Sequence, residues 1–503
     1  MNRFILHLND PRLLAAATSL FISFLLLFVE EAPNDDAYAY IRTAEIALTD
    51  GIGAAIQHYA WASYSLLMAL VSQFGFDFIT SAYLINSVFF VVLIYSFLSI
   101  VKLIDDSRLV GIISALCILL YPQLNEFRFY IIRDIGYWAF SIFALWQFLL
   151  FYKYHQNYNL IAFSLGLLVA SSFRAEAIVY LIVTPFVLLV DNSLDMIDRR
   201  RYFSKAIFLS TGIIISTSII LAIFEISIVS LLTDFLSVYE PFINSTFYPS
   251  EADTYALSSA IFGEYAASYS GPYINLFLFT GLLAILLVKL FSGIGGPFFW
   301  LLVYGTYKRN YKLKRNIYLP ILFFVVTNMA IVFTFILVTR YMSSRYAMLF
   351  CLILALLVPI VISNIVKRLE KTVLKNIGMR IIILYFGYCA FDSFISFGQS
   401  KTFVFDSVDW ITSRTDPRAG LITNNNAIAY FSGKVEKYDE TIRFLTKSEI
   451  IGAQPDDIIA IEMHYEMSEL VKRADVKPFI QLQAVFPSPE NQQLAIYKRT
   501  NPL

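Results

Sequence analysis

The sequence has 503 residues, of which 58% are hydrophobic and only 15% are charged. A soluble globular chain carries about 25% charged residues, so this chain has too few to cover a water-facing surface. Basic and acidic side chains are equal in number, and the zero net charge gives no indication of a nucleic-acid partner. The composition therefore indicates a polytopic membrane protein.

Long apolar runs recur through the first four-fifths of the chain, each about as long as a bilayer-spanning helix requires. Basic residues mark short cytoplasmic loops, and here clusters such as Arg3 with Arg12 alternate regularly with loops poor in Lys and Arg. We predict about eleven spans in residues 1–398, a cytoplasmic N-terminus, a first outer loop at 30–80 and a fourth at 230–273. The clearest runs are Leu13 to Val29, Ala82 to Val101, Ile207 to Phe224, Ile317 to Val338, Tyr346 to Ile362 and Ile381 to Phe397.

The predicted number of spans depends on how two apolar stretches are interpreted. Leu13 to Val29 has no cleavage site after it and is predicted to remain as the first span. Leu276 to Tyr304 is interrupted by Lys289 and a glycine-rich segment, so it is either one span with an interfacial segment or two short spans. The alternation of basic loops favours one span.

The last hundred residues change in character. Short apolar runs bounded by charges predict strands at Gly420 to Thr423, Asp457 to Glu462 and Leu494 to Lys498. Helical segments are predicted at Asp409 to Arg414 and Ala427 to Phe431. Residues 399–503 are thus predicted to form a small α/β domain on the extracytoplasmic side, as a cap on the outer face.

An acidic pair, Asp35 and Asp36, follows the first span directly. Adjacent carboxylates raise each other's pKa and can share a proton or a cation. One of them could act as a general base towards an acceptor hydroxyl or amine. The structural alternative is a helix N-cap at Asp35, with the second acid favouring the helix dipole.

Ionisable residues also lie at the predicted outer ends of later spans, where charge is expensive and therefore suggests function. Arginine suits a lipid phosphate because its planar fork binds oxygens bidentately and keeps its charge. The structural alternatives are arginines that reach to the lipid headgroups and local ion pairs. The residues are Arg133 with Asp134, Arg174 with Glu176, and Arg340 and Arg345 with Tyr346.

The segment DDAYAYIRTAEIALTDGIG and the aromatic stretch around His58 and Tyr59 resemble the first outer loop of the GT-C glycosyltransferase superfamily. The segment TRYMSSRYAMLFCLILALLVP resembles the Arg-Tyr and apolar run that opens a late span in many of these enzymes. The group includes protein O-mannosyltransferases, the lipid A aminoarabinose transferase and arabinofuranosyltransferases. The second acid here is Asp36, where Glu is more common.

The resemblance implies inverting transfer of a sugar from a polyprenyl-phosphate donor to an extracytoplasmic lipid, glycan or protein acceptor. Asp35 would be the general base, Asp36 would orient the acceptor, and Arg345 would bind the phosphate. The other substrate-binding candidates are Arg133, Asp134, Arg174, Glu176, Arg340, Tyr346, His58 and Tyr59. We expect no cofactor, with a divalent ion at the acidic pair left open, and a place in the bacterial inner membrane in contact with lipid.

Two other classes of function remain open at this point. A flippase or transporter of a lipid-linked saccharide would also need outward-facing arginines, but it predicts ionisable residues in mid-span and often repeated halves. A polysaccharide polymerase or ligase relies on arginines in large outer loops, and residues 230–273 contain none.

Overall fold

The computed structural model describes residues 10–29, 31–223, 226–247, 251–309, 313–371, 373, 375–395 and 401–500. Arg3 and the predicted domain boundary at residues 398 and 399 lie outside these ranges. The described chain is mainly helical, and its strands form one four-stranded sheet near the C-terminus.

Long apolar helices dominate the described chain. Seven of them are long and apolar enough to span a bilayer by length and composition, and an eighth span arises if a bent pair is counted as one. The bent pair is Arg108–Leu119 with Pro122–Phe129, which meet at 47°. The seven are Phe78–Ile104, Asp134–Tyr154, Met196–Ile223, Glu264–Ile294, Arg315–Thr339, Ser344–Leu369 and Lys375–Phe394.

Three shorter apolar helices, Pro11–Leu26, Asn157–Phe173 and Ala177–Val190, bring the total to the eleven predicted spans, and the first of them matches the predicted run Leu13 to Val29. A further short apolar helix, Ser63–Ser72, lies in the predicted first outer loop. Every predicted span thus has a helical counterpart, which confirms the polytopic α-helical fold. Fewer than eleven helices meet the length criterion because these three are shorter than the roughly 20 residues that a bilayer requires.

The glycine-rich interruption at residues 293–297 separates two helices. Ile274–Ile294 ends at Gly295, whose φ of +79° lies in a region that glycine adopts without the steric penalty of a Cβ. The helix Gly296–Tyr307 that follows has only 12 residues, too few to cross a bilayer. This stretch therefore provides one long span, as the alternation of basic loops predicts.

The predicted outer loops are themselves largely helical. The first contains Asp36–Thr49, Ile52–His58 and Ser63–Ser72. The described part of the fourth contains Ile228–Phe247, Glu251–Phe262 and Glu264–Ser270.

The C-terminal domain is a mixed α/β structure, as predicted. Its strands are β1 (Leu421–Thr423), β2 (Ile458–Glu462), β3 (Ile480–Ser488) and β4 (Asn491–Arg499), in the sheet order β1-β2-β4-β3. β1 and β2 are parallel, whereas β4 pairs antiparallel with both β2 and β3. The helices are Thr402–Arg414, Asn426–Ser432, Lys447–Gly452 and Tyr465–Lys472.

Internal contacts divide the chain into two compact units. The first, here called the core unit, comprises Met1–Ser23, Asn86–Arg128 and Arg133–Ile395. The second, the loop–tail unit, comprises Phe24–Ile85, Phe129–Ile132 and Ser396–Leu503. The C-terminal domain thus belongs to the same unit as most of the first outer loop.

Candidate active site

A buried ionic cluster in the core unit centres on Arg174, which follows the helix Asn157–Phe173. One terminal nitrogen of its guanidinium donates to Asp134 at 2.6 Å, and the other donates to Glu176 at 2.7 Å. Arg174 is only 9% exposed and Asp134 only 2%. The guanidinium fork therefore pairs with the buried carboxylate of Asp134, 40 positions away in the chain, and with the half-buried carboxylate of Glu176, two positions away.

Two further arginines act on the cluster around Arg174. Arg133 and Arg345 both interact electrostatically with Asp134. Burial alone would favour the neutral form of Glu176, but the guanidinium of Arg174 outweighs burial and lowers the pKa of this carboxyl. Guanidiniums gathered in this way suit the binding of an anion such as a phosphate.

Tyr346 joins two of the arginines. Its ring centroid lies 4.5 Å from the guanidinium carbon of Arg174 and 5.2 Å from that of Arg345. A terminal nitrogen of Arg345 also donates to the Tyr346 hydroxyl at 3.2 Å. The ring therefore holds both guanidiniums through cation–π contacts.

Three further polar residues adjoin the cluster, and two of them, Tyr180 and Asn328, escaped the sequence analysis. The Tyr137 ring lies 5.7 Å from the guanidinium of Arg174, and the Tyr137 hydroxyl bonds that of Tyr180. Asn328 donates to the Tyr180 hydroxyl at 2.5 Å from within the apolar helix Arg315–Thr339. A lone buried amide in an apolar span is a signal that could have identified it.

The structure thus brings Asp134, Arg174, Glu176, Arg345 and Tyr346 into one cluster. Arg133 is the residue directly before the helix Asp134–Tyr154 and adds its charge to that cluster. Arg340 is an exposed residue that ends the helix Arg315–Thr339 with a φ of +55°. The local Arg174–Glu176 pair, one of the structural alternatives, is present, but it is part of the larger network.

The acidic pair lies in the loop–tail unit. Asp35 is exposed and occupies the N-cap position of the helix Asp36–Thr49, yet its side chain makes no capping hydrogen bond. Asp36 is half-buried in the first turn of that helix. The carboxylate of Asp35 is therefore not occupied by the capping role that the structural alternative gives it.

Asn34 fixes the chain immediately before the acidic pair. Its side-chain oxygen accepts from the backbone N–H of Ile131 at 2.7 Å, and its side-chain nitrogen donates to the Ile131 carbonyl at 3.3 Å. This amide side chain pairs with Ile131 in the way that a neighbouring strand would. The start of the acidic segment is thereby attached to the segment Phe129–Ile132.

We expect Asn34→Asp to lower the stability of the protein by about 1 kcal/mol, because the carboxylate cannot donate to the Ile131 carbonyl. Thermal unfolding in detergent measures the effect. Asn491→Asp, at the exposed first residue of β4, makes the same change of charge and should have a smaller effect. Equal shifts in the two variants would contradict a role of the Asn34 amide in holding this segment.

The first outer loop also contacts the C-terminal domain within the loop–tail unit. His58 bonds Asp439 at 3.0 Å, and the Tyr438 hydroxyl donates to Glu45 at 2.8 Å. Burial and the bond to Glu45 both raise the pKa of Tyr438. His58, predicted to bind substrate, thus has a partner in the C-terminal domain.

Tyr59, the other aromatic candidate of this loop, packs against Tyr40 and Trp61. No group of three or more His, Cys, Asp or Glu side chains that could hold a metal ion occurs within the described ranges. A divalent ion at Asp35 and Asp36 stays a prediction.

No family model matches the sequence, and no curated protein sequence matches it. Among solved structures, ArnT from Cupriavidus metallidurans in the apo state is similar, with 12% sequence identity and a TM-score of 0.50. The match covers 96% of this chain and 97% of that chain. ArnT bound to undecaprenyl phosphate matches with 11% identity and a TM-score of 0.49, covering 97% of each chain. The apo likeness concerns the fold, and it confirms the GT-C-like architecture that the resemblance implies.

Proposed function

We propose that the protein is a GT-C-type glycosyltransferase that moves a sugar from a polyprenyl-phosphate donor to an extracytoplasmic acceptor. The acceptor is a lipid, a glycan or a protein. The observation that carries the proposal is Asp35, an exposed carboxylate without a capping bond directly after the first helix. The GT-C resemblance expects the catalytic base at this place in the chain.

The chemistry requires one base and a site for the leaving phosphate. Asp35 takes the proton from the acceptor's hydroxyl or amine while that group attacks the anomeric carbon of the sugar. The bond between the anomeric carbon and the phosphate oxygen breaks, the configuration inverts, and polyprenyl phosphate leaves with the bonding electrons. Because this phosphate is a stable anion at neutral pH, its departure needs no strong acid. Asp36 would orient the acceptor.

The cluster around Tyr346 supports a phosphate site in the core unit. Arg345 donates to the Tyr346 hydroxyl, and the Tyr346 ring also lies against the guanidinium of Arg174. Arginine binds phosphate oxygens bidentately, and Arg345 is our first choice for the ligand of the donor's phosphate. Arg133, Arg340, His58 and Tyr59 remain proposed contacts to the donor or the acceptor.

We expect Arg345→Gln to weaken binding of undecaprenyl phosphate about 10- to 100-fold, because one charge-assisted hydrogen bond to the phosphate is lost. The rise in unfolding temperature on titration with undecaprenyl phosphate measures this affinity. Arg368→Gln removes an exposed cation from the same helical pair, Ser344–Leu369, and should leave the affinity unchanged. Equal affinity in the Arg345→Gln protein would exclude this arginine as the phosphate ligand.

Purified protein in detergent, given radiolabelled undecaprenyl-phosphate sugars and an extract of bacterial envelope lipids and glycans, tests the activity itself. A transferase releases undecaprenyl phosphate and places the label on a new product. A flippase leaves the donor chemically unchanged, since detergent removes the two sides between which it transports. If the donor stays intact with every sugar tested, the result would contradict sugar transfer and favour transport.

We further propose that the protein lies in the bacterial inner membrane with its N-terminus in the cytoplasm. The basic clusters that alternate along the sequence support this orientation. The acidic pair and the C-terminal domain would then face the periplasm or the cell exterior, where no nucleotide sugar is available. A lipid-linked sugar is the donor that suits this side of the membrane.

A further inference from the structure

Tyr38 is a fully buried residue one turn after the exposed Asp35. It has 0% of its surface exposed, and its hydroxyl has no hydrogen-bond partner within the described part of the chain. A buried hydroxyl without a partner loses its hydration and gains nothing in return. Such a group in a native protein calls for an explanation.

Other tyrosines of the same unit have hydrogen-bond partners for their hydroxyls. The hydroxyl of Tyr83 donates to the Phe129 carbonyl at 3.2 Å, and that of Tyr438 donates to Glu45 at 2.8 Å. The fold of the loop–tail unit can therefore satisfy phenolic hydroxyls. The hydroxyl of Tyr38 is an exception, and Tyr38 lies only three positions after the proposed base.

The C-terminal domain holds the Tyr38 ring in place. Ring centroids of Tyr430 and Phe431 lie 5.6 Å and 6.5 Å from that of Tyr38. These aromatic contacts fix the ring, since edge and tilted packing of this kind favours one orientation. The C-terminal domain thereby also determines where the Tyr38 hydroxyl points.

Asp35 and Tyr38 are close in the helix as well as in sequence. Residues three apart lie on one face of a helix, and the backbone N–H of Tyr38 donates to the Asp35 carbonyl at 3.3 Å. Burial raises the pKa of Tyr38, and the charge of Asp35 raises it further, so the hydroxyl keeps its proton at neutral pH. It can donate one hydrogen bond and accept another.

We propose that the Tyr38 hydroxyl is a hydrogen-bonding group of the active site that binds the acceptor's nucleophilic group beside Asp35. The inference rests on the proposed glycosyltransferase function and gives the C-terminal domain a part in it. The hydroxyl would hold the acceptor's oxygen or nitrogen while Asp35 takes its proton. The hydroxyl is buried in this structure. The groups that pack over it must therefore move aside when the acceptor binds.

Tyr38→Phe tests this role because it removes only the hydroxyl. Transfer is measured with labelled undecaprenyl-phosphate sugar while the concentration of the envelope extract is varied. We expect kcat/KM for the extract to fall about 10- to 100-fold, the range for a lost hydrogen bond in the transition state, with KM for the donor unchanged. The unfolding temperature should equal or exceed that of the wild type, since Phe removes a buried hydroxyl without a partner.

Tyr83→Phe is the matched control, because it removes a hydroxyl that has a partner. It should lower the unfolding temperature and leave the transfer rate of the folded protein unchanged. Tyr38→Phe protein that transfers at the wild-type rate would overturn the proposal, and so would parallel losses of rate and stability.

The same assay separates this inference from the function on which it rests. Wild-type protein that transfers no label would overturn both. Active wild-type protein, inactive Asp35→Asn protein and fully active Tyr38→Phe protein would overturn only the role of Tyr38.

Discussion

Asp35→Asn is expected to lower kcat for sugar transfer about 10²- to 10⁴-fold, the range that general-base catalysis contributes. The amide has nearly the same shape as the carboxylate but cannot accept the acceptor's proton. Because Asp35 is exposed and makes no capping bond, the variant should fold and insert normally. Initial rates with labelled undecaprenyl-phosphate sugar measure the loss, and thermal shifts with undecaprenyl phosphate should show unchanged donor binding.

Variants of two other acids, Asp36 and Asp50, serve as comparisons for Asp35→Asn. Asp36→Asn should reduce the rate less, because Asp36 is proposed to orient the acceptor and not to take its proton. Asp50→Asn, at the other end of the helix Asp36–Thr49, should leave the rate unchanged. A folded Asp35→Asn protein that transfers sugar at the wild-type rate would refute the assignment of the base.

Arg174→Gln is expected to have the largest effect on stability, a loss of about 3–5 kcal/mol, as when one partner of a buried ion pair is removed. The change removes the guanidinium that pairs with both the buried carboxylate of Asp134 and the half-buried carboxylate of Glu176. Unfolding in detergent, followed by heat or denaturant, measures the loss.

The charge origin of this effect can be tested with a neutral variant. Asp134→Asn, Arg174→Gln and Glu176→Gln together remove all three charges and should be more stable than Arg174→Gln alone. A triple variant that is no more stable than the single one would indicate that packing of the arginine, and not charge, dominates.

Acid should weaken the same cluster. The pKa of Glu176 is lower in the folded state than its ordinary value of about 4.3, so ionisation of Glu176 stabilises the fold above that value. This stability is lost as the pH falls from about 4.3 through the lower, folded pKa. Unfolding temperatures measured between neutral pH and about pH 3 should therefore fall less steeply for Glu176→Gln than for the wild type. Parallel pH profiles would contradict this coupling.

The sequence predicted the helical fold well because hydropathy and the positions of basic loops are local properties. Each predicted apolar run corresponds to a helix in the structure. The break at Gly295 was visible in the sequence as a glycine-rich interruption. Strands β1, β2 and β4 were anticipated because short apolar runs mark them. Strand β3 was missed because its pattern, IQLQAVFPS, mixes exposed glutamines with apolar residues and resembles a loop.

The sequence indicated Asp134, Arg174, Glu176, Arg345 and Tyr346 as separate candidates, but it did not indicate their contacts with one another. The bond between Asp134 and Arg174 joins residues 40 positions apart, and local spacing indicated only the Arg174–Glu176 pair. The bond between Tyr438 and Glu45 spans 393 positions. Such contacts depend on tertiary packing, which one sequence does not specify at the level of individual side chains.

The central claim is that the base and the phosphate site lie on the outer side of one membrane, and labelling of single cysteines tests it. Cysteine replaces either Asp35 or Tyr341, two exposed positions, after Cys117, Cys351 and Cys389 have been replaced. Intact cells with a permeabilised outer layer are treated with a maleimide that cannot cross the inner membrane. We predict that both cysteines react before the inner membrane is opened. Reaction of one cysteine only after that membrane is opened would place the two segments on opposite sides and contradict the proposed mechanism.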